Sequence, residues 1–453
     1  MGQLGTGEPV WDLQFDENGH LTAPGAGAFV DDVGGQGVED LFVFSHGWGT
    51  SQDGATALYN VMFPMIRQAA QGVPALGRLG FAGIYWPSLW FPPTPATPPP
   101  AAAGGLQAIG AAAAPLSAGT AEVTGAQIAA SLRPGFADPQ QQETIAAIGQ
   151  LIDQGQAMVG SGQTDDVKQQ LVTQISQLIK SLTPPGQGED SGERALLLTT
   201  DPTDDYQKTA AVFGSIPAGG AAQGIGDWFS SAINGAKEAV RVFSYWTMKA
   251  RAGTIGQTGL GPLLTALHAK SPGIRVHLIG HSFGARLVSF VLAGVGAPGD
   301  SPVRSLTLLQ GAFSHWSFAN AAGNPFAAPG GLNTLNDRVH GPLVATFSSY
   351  DWAVGVWYPK ASFAAGDNLQ AVAGPDKWGG MGADGFQPAG AAQTVPMPAN
   401  GGLAYGFTPN TFYRVNAASV INNTNGEPFS GAHSDIQKMP VAQLIVAAAA
   451  AHA

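Results

Sequence analysis

The sequence predicts an α/β protein built on a mainly parallel sheet with helices on both faces. Two observations support this fold class. Short, largely apolar runs such as residues 40–44 and 275–279 are typical of strands buried on both faces of a sheet. These runs alternate with longer segments that carry apolar residues at helical spacing, and strand–helix alternation is the pattern of a parallel sheet.

The N-terminal elements begin this alternation. Residues 10–15 predict a strand that enters a turn, because an Asn-Gly pair follows them closely. Residues 40–44 predict the first fully buried strand, and a helix is expected over about residues 53–70. Residues 81–86 predict the next buried strand, which a proline closes.

Residues 90–225 have a different composition. The segment opens on a Pro-rich stretch that cannot form a regular element, and the remainder is rich in Ala, Gly and Gln. Apolar residues at helical spacing predict a helix that ends before Pro184, with a helical partner around residues 145–152. No strand is predicted here. We therefore expect residues 90–225 to form a largely helical inserted cap or lid, and residues 1–89 and 226–453 to form the main α/β domain.

The alternation of strands and helices resumes near residue 227. The predicted elements are, in order, helices over 236–251 and 260–270, a strand over 275–279, a helix over 287–292, and strands over 305–309, 343–348 and 412–420. A Gly- and Pro-rich stretch over 366–406, between the last two strands, predicts a long surface loop.

The strongest motif in the chain is Gly280-His281-Ser282-Phe283-Gly284. It has the pattern G-x-S-x-G, and it lies directly after a predicted strand and before a predicted helix. A serine in such a sharp turn leaves no room for side chains two residues before and after it, and here both positions are glycine. The motif predicts a serine hydroxyl at a helix N-terminus, where negative charge is stabilised. The alternative is a Gly-rich turn with an inert serine.

With this motif and this order of elements, the sequence resembles the α/β-hydrolase superfamily, in its serine esterase and lipase branch. The resemblance covers residues 40–88 and 227–440 and does not extend to residues 90–225. It implies a catalytic serine followed along the chain by an acid and then by a histidine, each just past the C-terminal end of a strand. The main α/β domain would then be the catalytic domain.

Within that order, His433 and Asp351 are the best candidates for the base and the acid. His433 follows the last predicted strand on a Gly-containing loop and precedes an apolar helix, and Asp351 comes directly after the strand before it. Asp337 lies at the opposite edge of the sheet, and the strand over 305–309 is followed by no acid. His281, beside the serine, is expected to point elsewhere. A surface histidine and a turn-capping aspartate are the alternatives.

A tetrahedral intermediate needs backbone N–H donors for its oxyanion. The resemblance implies two of them, the N–H of Phe283 and that of Trp48, since His46-Gly47-Trp48 after an early strand matches the family's HG-x pattern. Gly47 is expected to let this loop turn so that the Trp48 N–H can face the carbonyl oxygen. His46 is expected to hold the loop rather than to react.

Four side chains are candidates to line the substrate site: His46, His315, Trp316 and Trp352. His315 and Trp316 follow a strand at the predicted active edge, and Trp352 adjoins the candidate acid. Aromatic residues are frequent around these positions, which favours a substrate with an apolar acyl or alcohol group. Ordinary packing is the alternative for each of the four.

These residues predict a serine hydrolase that cleaves a small-molecule or lipid-like carboxylic ester through an acyl-enzyme intermediate. The same three residues would also serve an amidase, a peptidase or an acyltransferase, because the triad does not identify the leaving group. A non-catalytic binding protein with this fold is the remaining alternative. The complete set of Ser282, Asp351 and His433 argues against it.

Composition and motif content exclude several other classes. The chain has 20 Lys and Arg against 31 Asp and Glu, a formal net charge of −11, and no basic cluster, which argues against nucleic-acid binding. It has no cysteine, and hence no disulfide and no thiol nucleophile. No Walker loop, HExxH helix or EF-hand pattern is present, so neither a metal nor a cofactor is expected.

The sequence also gives expectations about location. The first seven residues lack the basic and apolar regions of a signal peptide, so a cytoplasmic location is expected, with a leader already removed as the alternative. No apolar run reaches the roughly 20 residues of a membrane span, so no integral membrane association is expected. The oligomeric state is left open.

Overall fold

The computed structural model describes residues 2–4, 7–88, 124–136, 138–182, 233, 236, 247–325, 327–357, 379–387, 392–424 and 431–451. The Pro-rich stretch after residue 90 and most of the helix predicted over 236–251 lie outside the described residues.

A ten-stranded, mostly parallel sheet forms the centre of the protein, which confirms the α/β class. Its strands are β1 (Gly2–Gln3), β2 (Pro9–Phe15), β3 (Leu21–Ala23), β4 (Asp40–Ser45), β5 (Leu79–Tyr85), β6 (Arg275–His281), β7 (Val303–Leu309), β8 (Leu343–Phe347), β9 (Gln393–Pro396) and β10 (Phe412–Asn416). Their order across the sheet is β1-β2-β5-β4-β6-β7-β8-β10-β9, with β3 paired to β2. The β1–β2 and β2–β3 pairs are antiparallel, and the other pairs are parallel.

Helices cover both faces of this sheet. The described helices are α1 (Ala26–Gly35), α2 (Gln52–Ala70), α3 (Gly125–Leu132), α4 (Pro139–Met158), α5 (Asp165–Leu182), α6 (Gly261–Lys270), α7 (Phe283–Gly294), α8 (Met381–Asp384) and α9 (Met439–Ala450). Side chains of α1, α6 and α7 pack into one apolar cluster on one face. Those of α2 and α9 pack into a second cluster on the other face.

Strand β4 shows how the sequence produces this two-sided core. All six of its residues are buried. Leu41 and Val43 belong to the cluster with α7, whereas Phe42 and Phe44 belong to the cluster with α2. Successive side chains of a strand point to opposite faces, so a strand buried on both faces needs a continuous apolar run.

The strand order reverses direction beside β4. The chain leaves β4 through α2 and returns as β5 on one side, whereas β6 pairs with the other side of β4. Ser45 and Gly280 lie opposite each other at the carboxyl ends of β4 and β6. In open α/β sheets, ligands bind in the crevice outside the carboxyl ends of the strands at such a reversal. The G-x-S-x-G motif and the His46–Trp48 loop both follow strands that border it.

The described part of residues 90–225 contains helices and no strand. Helices α3, α4 and α5 pack around an apolar cluster of their own, which includes the predicted Ile145, Ile148 and Ile152. Arg251 joins this group to the rest of the chain, since its guanidinium donates 2.7 Å and 2.8 Å hydrogen bonds to the carbonyl oxygens of Pro87 and Gly135. That these helices act as a cap remains a prediction.

Helices were predicted separately over 236–251 and 260–270, but the described residues 247–270 form one continuous helix, so the separation between them is wrong. Residues 247–254 are helical, Ile255–Leu260 form a π-helical turn, and α6 follows directly. Gly256, within the π-helical turn, has a packing role. A Cβ at Gly256 would lie 2.1 Å from the carbonyl oxygen of Leu287 in α7.

Two further details differ from the sequence prediction. Strand β10 ends at Asn416 and not at Val420, because the Asn416 side chain accepts a hydrogen bond from the N–H of Ala418 and starts a turn. Strand β9 was not predicted. It is a short edge strand that pairs only with β10 and contains Pro396, so its sequence resembles a loop.

A buried polar network joins the N-terminal ends of the central strands. The Arg275 guanidinium donates 2.7 Å and 2.6 Å hydrogen bonds to the two carboxylate oxygens of Asp40. His277 lies 3.0 Å from the same carboxylate and 3.0 Å from the Ser305 hydroxyl. Burial alone would raise the pKa of Asp40, but the hydrogen bonds from Arg275 and His277 hold it well below its usual range.

We predict that Gly256→Ala destabilises the protein by about 1–3 kcal/mol, because the added methyl group would collide with the backbone of α7. Gly27→Ala is the matched control. Gly27 is also helical, has open space at its Cβ position, and should gain up to about 1 kcal/mol from the better helix propensity of alanine. Urea unfolding of both variants measures the difference. Equal stability of the two variants would contradict the packing role of Gly256.

Candidate active site

Ser282 occupies a strained turn between β6 and α7. Its backbone has φ 58° and ψ −124°, a conformation that residues with a side chain rarely adopt. Hydrogen bonds fix it there: the Ser282 N–H donates to the carbonyl oxygen of Leu309, and the Ser282 carbonyl accepts from the N–H groups of Ala285 and Ala312. The side chain is fully buried at the N-terminus of a twelve-residue helix.

Three glycines allow the backbone segments around Ser282 to come close. A Cβ at Gly280 would lie 2.3 Å from the carbonyl oxygen of Gly284, and one at Gly284 would lie 2.2 Å from that of Ser45. A Cβ at Gly47 would lie 2.6 Å from the Ser282 Cβ. The loop after β4 therefore packs directly against the serine.

The structure pairs Asp351 with His433. The distance from His433 Nδ1 to Asp351 Oδ2 is 2.9 Å, and both side chains are buried. Asp351 Oδ1 accepts a further hydrogen bond from the N–H of Val354. The two segments are also joined through their backbones, because Asp351 bridges to Gly431 and the Ala432 N–H donates to the Tyr350 carbonyl.

This pairing fixes the hydrogen-bonding capacity of the His433 ring. A carboxylate only accepts, so Nδ1 carries the proton and Nε2 of the neutral ring offers a lone pair. Among the described residues, neither His433 Nε2 nor Ser282 Oγ has a hydrogen-bond partner, although both atoms are buried. Buried polar atoms are normally paired, and these two have complementary capacity, because a hydroxyl can donate and a ring nitrogen with a lone pair can accept.

His281 lies against His433. The two ring centroids are 4.9 Å apart, and His281 Nε2 donates a 3.0 Å hydrogen bond to the His433 carbonyl. Burial, together with the neighbouring His433, lowers the pKa of His281 to about 3. His281 is therefore neutral and holds the backbone of His433. Its position beside Ser282 was the only sequence signal for this contact.

Gln310 makes a contact with Asp351 that the sequence did not predict. It is fully buried, and its Nε2 donates a 2.8 Å hydrogen bond to Asp351 Oδ2. A glutamine after β7 has no local sequence pattern that would predict its contact with Asp351, 41 residues later in the chain.

His46 joins the loop after β4 to the segment after β5. Its Nδ1 donates a 2.9 Å hydrogen bond to the carbonyl of Gly47, and its Nε2 accepts from the N–H of Trp86 at 3.4 Å. The imidazole also stacks on the Trp86 indole with centroids 5.5 Å apart. Burial lowers the pKa of His46 to about 4, so the ring is neutral. These contacts favour the structural role over the substrate-lining one.

The other three candidate lining residues take different positions. His315 is buried, and its Nδ1 lies 2.6 Å from a carboxylate oxygen of Asp384, so it forms a second His–Asp pair apart from His433. Trp316 is buried beside it, with ring centroids 4.7 Å apart. The Trp352 ring covers Gly431, where a Cβ would lie 2.9 Å from it. Trp352 thus packs on the segment that leads to His433.

The predicted oxyanion donors lie on adjoining segments. The rings of Trp48 and Phe283 are 5.8 Å apart, which brings the loop after β4 and the first residue of α7 together. The described residues contain no group of three or more His, Asp or Glu side chains that would hold a metal ion. No helix in the described ranges is both long and apolar enough to cross a membrane.

Comparisons with family models, with curated proteins and with solved structures returned no match for this chain.

We predict that the free energy of unfolding decreases as the pH falls from 6.5 to 4. In this range the unfolded chain takes up protons at His46 and His281, whereas the folded protein keeps both rings neutral. The stabilising contribution is therefore complete above pH 6.5 and is lost toward lower pH. Each such proton contributes a slope of about 1.4 kcal/mol per pH unit.

His46→Gln tests this contribution. Between pH 6.5 and 4, the free energy of unfolding of the variant should fall less steeply with pH than that of the wild type, by the contribution of about one proton. Above pH 7 the two curves should be parallel. Urea unfolding at a series of pH values measures both slopes. Comparing slopes rather than absolute stabilities removes the cost of the lost stacking on Trp86. Parallel curves over the whole range would show that His46 takes up no extra proton on unfolding.

Proposed function

We propose that this protein is a serine hydrolase of the α/β-hydrolase type that cleaves carboxylic esters, with Ser282 as nucleophile, His433 as base and Asp351 as the acid that orients the base. One observation carries the proposal: the hydroxyl of Ser282, on a strained strand-to-helix turn, and the Nε2 of the Asp351-paired His433 are both buried without a partner among the described residues. A hydroxyl that must lose a proton and a ring nitrogen that can take it are what nucleophilic catalysis requires.

In the first half of the reaction, Ser282 Oγ attacks the ester carbonyl carbon. The proton on Oγ moves to His433 Nε2, and the negative charge of Asp351 stabilises the resulting imidazolium through the Nδ1–H hydrogen bond. His433 then gives the proton to the leaving alkoxide, the C–O bond of the ester breaks, and an acyl-serine remains.

The negative charge on the carbonyl oxygen needs donors that are already in place. We assign this role to the backbone N–H groups of Phe283 and Trp48, because Phe283 begins α7 and Gly47 brings the Trp48 loop against the serine. Each such donor contributes roughly 3–4 kcal/mol to transition-state stabilisation when judged by its removal. The N-terminus of α7 adds a favourable dipole at the same place.

In the second half, a water molecule replaces the alcohol. His433 takes a proton from this water, the hydroxide attacks the acyl carbonyl, and the tetrahedral intermediate collapses to release the carboxylic acid. Ser282 Oγ recovers its proton from His433. The cycle is balanced without a metal ion or an organic cofactor.

We propose further that the ester carries an apolar acyl or alcohol group. The aromatic rings of Trp48, Phe283 and Trp352 lie around the candidate residues and support this class of substrate. Residues 90–225 leave the sheet after the carboxyl end of β5, at the edge where Ser282 lies. This point of departure supports the role of a cap over a catalytic domain formed by residues 1–89 and 226–453.

Labelling by a fluorophosphonate probe tests the enzyme proposal. The wild type should be labelled at Ser282, Ser282→Ala should not be labelled, and His433→Ala should react slower by on the order of 10⁴-fold. Ser289→Ala is the matched control, because Ser289 is a buried serine of α7 whose hydroxyl only bonds the Ala285 carbonyl. It should react like the wild type. A wild type that stays unlabelled would favour the non-catalytic binding protein.

A series of esters beside matched amides tests the reaction class. We expect esters to be cleaved faster than amides with the same acyl group, and kcat/KM to rise with acyl chain length as more apolar surface is buried. A burst of alcohol release before steady state would report the acyl-enzyme. Faster turnover of amides would assign the triad to an amidase or peptidase instead.

A further inference from the structure

We propose that Gln310 is a positioning residue that links the serine segment to the acid and thereby sets the geometry of the whole triad. The inference rests on the proposed function, since it assigns Gln310 a role in that same site. It is carried by the hydrogen bonds that Gln310 and its neighbours make in two directions.

The backbone around Gln310 is attached to Ser282. The Leu309 carbonyl, one residue before Gln310, accepts a 3.1 Å hydrogen bond from the Ser282 N–H. The Ala312 N–H, two residues after it, donates a 3.1 Å hydrogen bond to the Ser282 carbonyl. The Gln310 backbone therefore cannot move far without moving the serine turn.

The side chain of Gln310 holds the acid. Its Nε2 donates a 2.8 Å hydrogen bond to Asp351 Oδ2 and a second one of 3.3 Å to the Gly382 carbonyl. Its Oε1 accepts a 2.9 Å hydrogen bond from the Thr346 hydroxyl. A carboxylate and a carbonyl only accept, so these partners leave a single orientation for the amide.

The backbone of Gln310 is strained, which supports a specific role. Its φ is +48°, in the left-handed region where glycine and asparagine are favoured. Glycine would remove the strain but also the amide, and asparagine is one methylene shorter. The Gln310 N–H is held in place by the Thr346 hydroxyl at 3.0 Å. Strain of this kind persists where the surroundings fix it and a function uses it.

The hydrogen bonds to Asp351 affect both the position of its carboxylate and the interaction of its charge with His433. Oδ2 accepts from both His433 and Gln310, and Oδ1 accepts from the Val354 N–H, so the carboxylate cannot rotate. The N–H of Gln310 also interacts with the negative charge on Asp351 Oδ2, which would otherwise interact with His433 alone. Removing the amide should therefore change both the rate and its pH dependence.

Gln310→Met is the main test, because methionine has nearly the same shape without the donor. With an ester substrate, kcat should fall about 10- to 100-fold while KM changes little, since the loss affects the geometry of the reaction and not the binding of substrate. The midpoint of the acidic limb of the kcat/KM profile should move up by about 0.5–1 pH unit, because the carboxylate then interacts more strongly with the imidazolium.

Ser305→Ala is the matched control. Ser305 is a buried residue of β7, the strand that directly precedes Gln310, and its hydroxyl bonds His277 at the opposite end of the sheet. This variant also loses a buried hydrogen bond, but its kcat and pH midpoint should stay within about twofold and about 0.2 pH unit of the wild type.

A double-mutant cycle with Thr346→Val tests whether the role is transmitted through the amide. Thr346→Val alone should reduce kcat, and adding it to Gln310→Met should cost little more, because the amide that Thr346 orients is already gone. Additive losses would overturn the proposed chain from Thr346 through Gln310 to Asp351. Thr346→Val also provides the test if Gln310→Met does not fold.

A readout that needs no turnover separates this inference from the proposed function. The hydrogen-bonded Nδ1 proton of His433 should give a low-field proton resonance that is absent in His433→Ala. Gln310→Met should shift this resonance, and Ser305→Ala should leave it in place. An inactive wild type with this shift would contradict the proposed function and keep the positioning role. An active Gln310→Met variant with wild-type kcat, pH midpoint and resonance would overturn the inference alone.

Discussion

The close approach of three backbone segments at Ser282 is the constraint on which the rest of the site depends. The carboxyl end of β6, the first turn of α7 and the loop after β4 meet there with no room for a Cβ at Gly47, Gly280 or Gly284. Because these segments touch, the left-handed backbone of Ser282 is held on all sides. The strain is thus a consequence of packing, and it directs the hydroxyl out of the sheet rather than into a hydrogen bond with the surrounding core.

The polar groups of the central sheet are distributed unequally between its two ends. At the N-terminal end, Asp40, Arg275 and His277 satisfy one another and join strands β4, β6 and β7. At the carboxyl end, Ser282 Oγ and His433 Nε2 are buried and have no hydrogen-bond partner in the part of the chain that the structure describes. Unpaired buried groups reduce stability, whereas satisfied ones fix the strands. The polar network at the N-terminal end therefore stabilises the sheet. The two atoms at the carboxyl end remain available to a ligand.

Local sequence patterns predicted the elements and the residues whose signal lies within a few positions. The buried strands, the elbow glycines and the Asp351–His433 pair all follow from apolar runs, short motifs and position after a strand. Gln310 and His281 were missed because their roles depend on partners 41 and 152 residues away in the chain. The helix break expected near Gly256 was wrong for a related reason, since that glycine serves contact with α7 and does not interrupt the helix. Tertiary contact overrode local propensity at each of these places.

The order of the strands along the chain affects when the parts of this site come together during folding. Strands β6, β7, β8 and β10 lie side by side in the order of their synthesis, and each contributes one part of the constellation at its carboxyl end. The last of these residues, His433 on the segment after β10, contacts Asp351 across a long separation in sequence. Such contacts form late because closing a long loop is entropically costly. The contact between His433 and Asp351 would therefore be among the last parts of this end of the sheet to form, after the helices and the central strands.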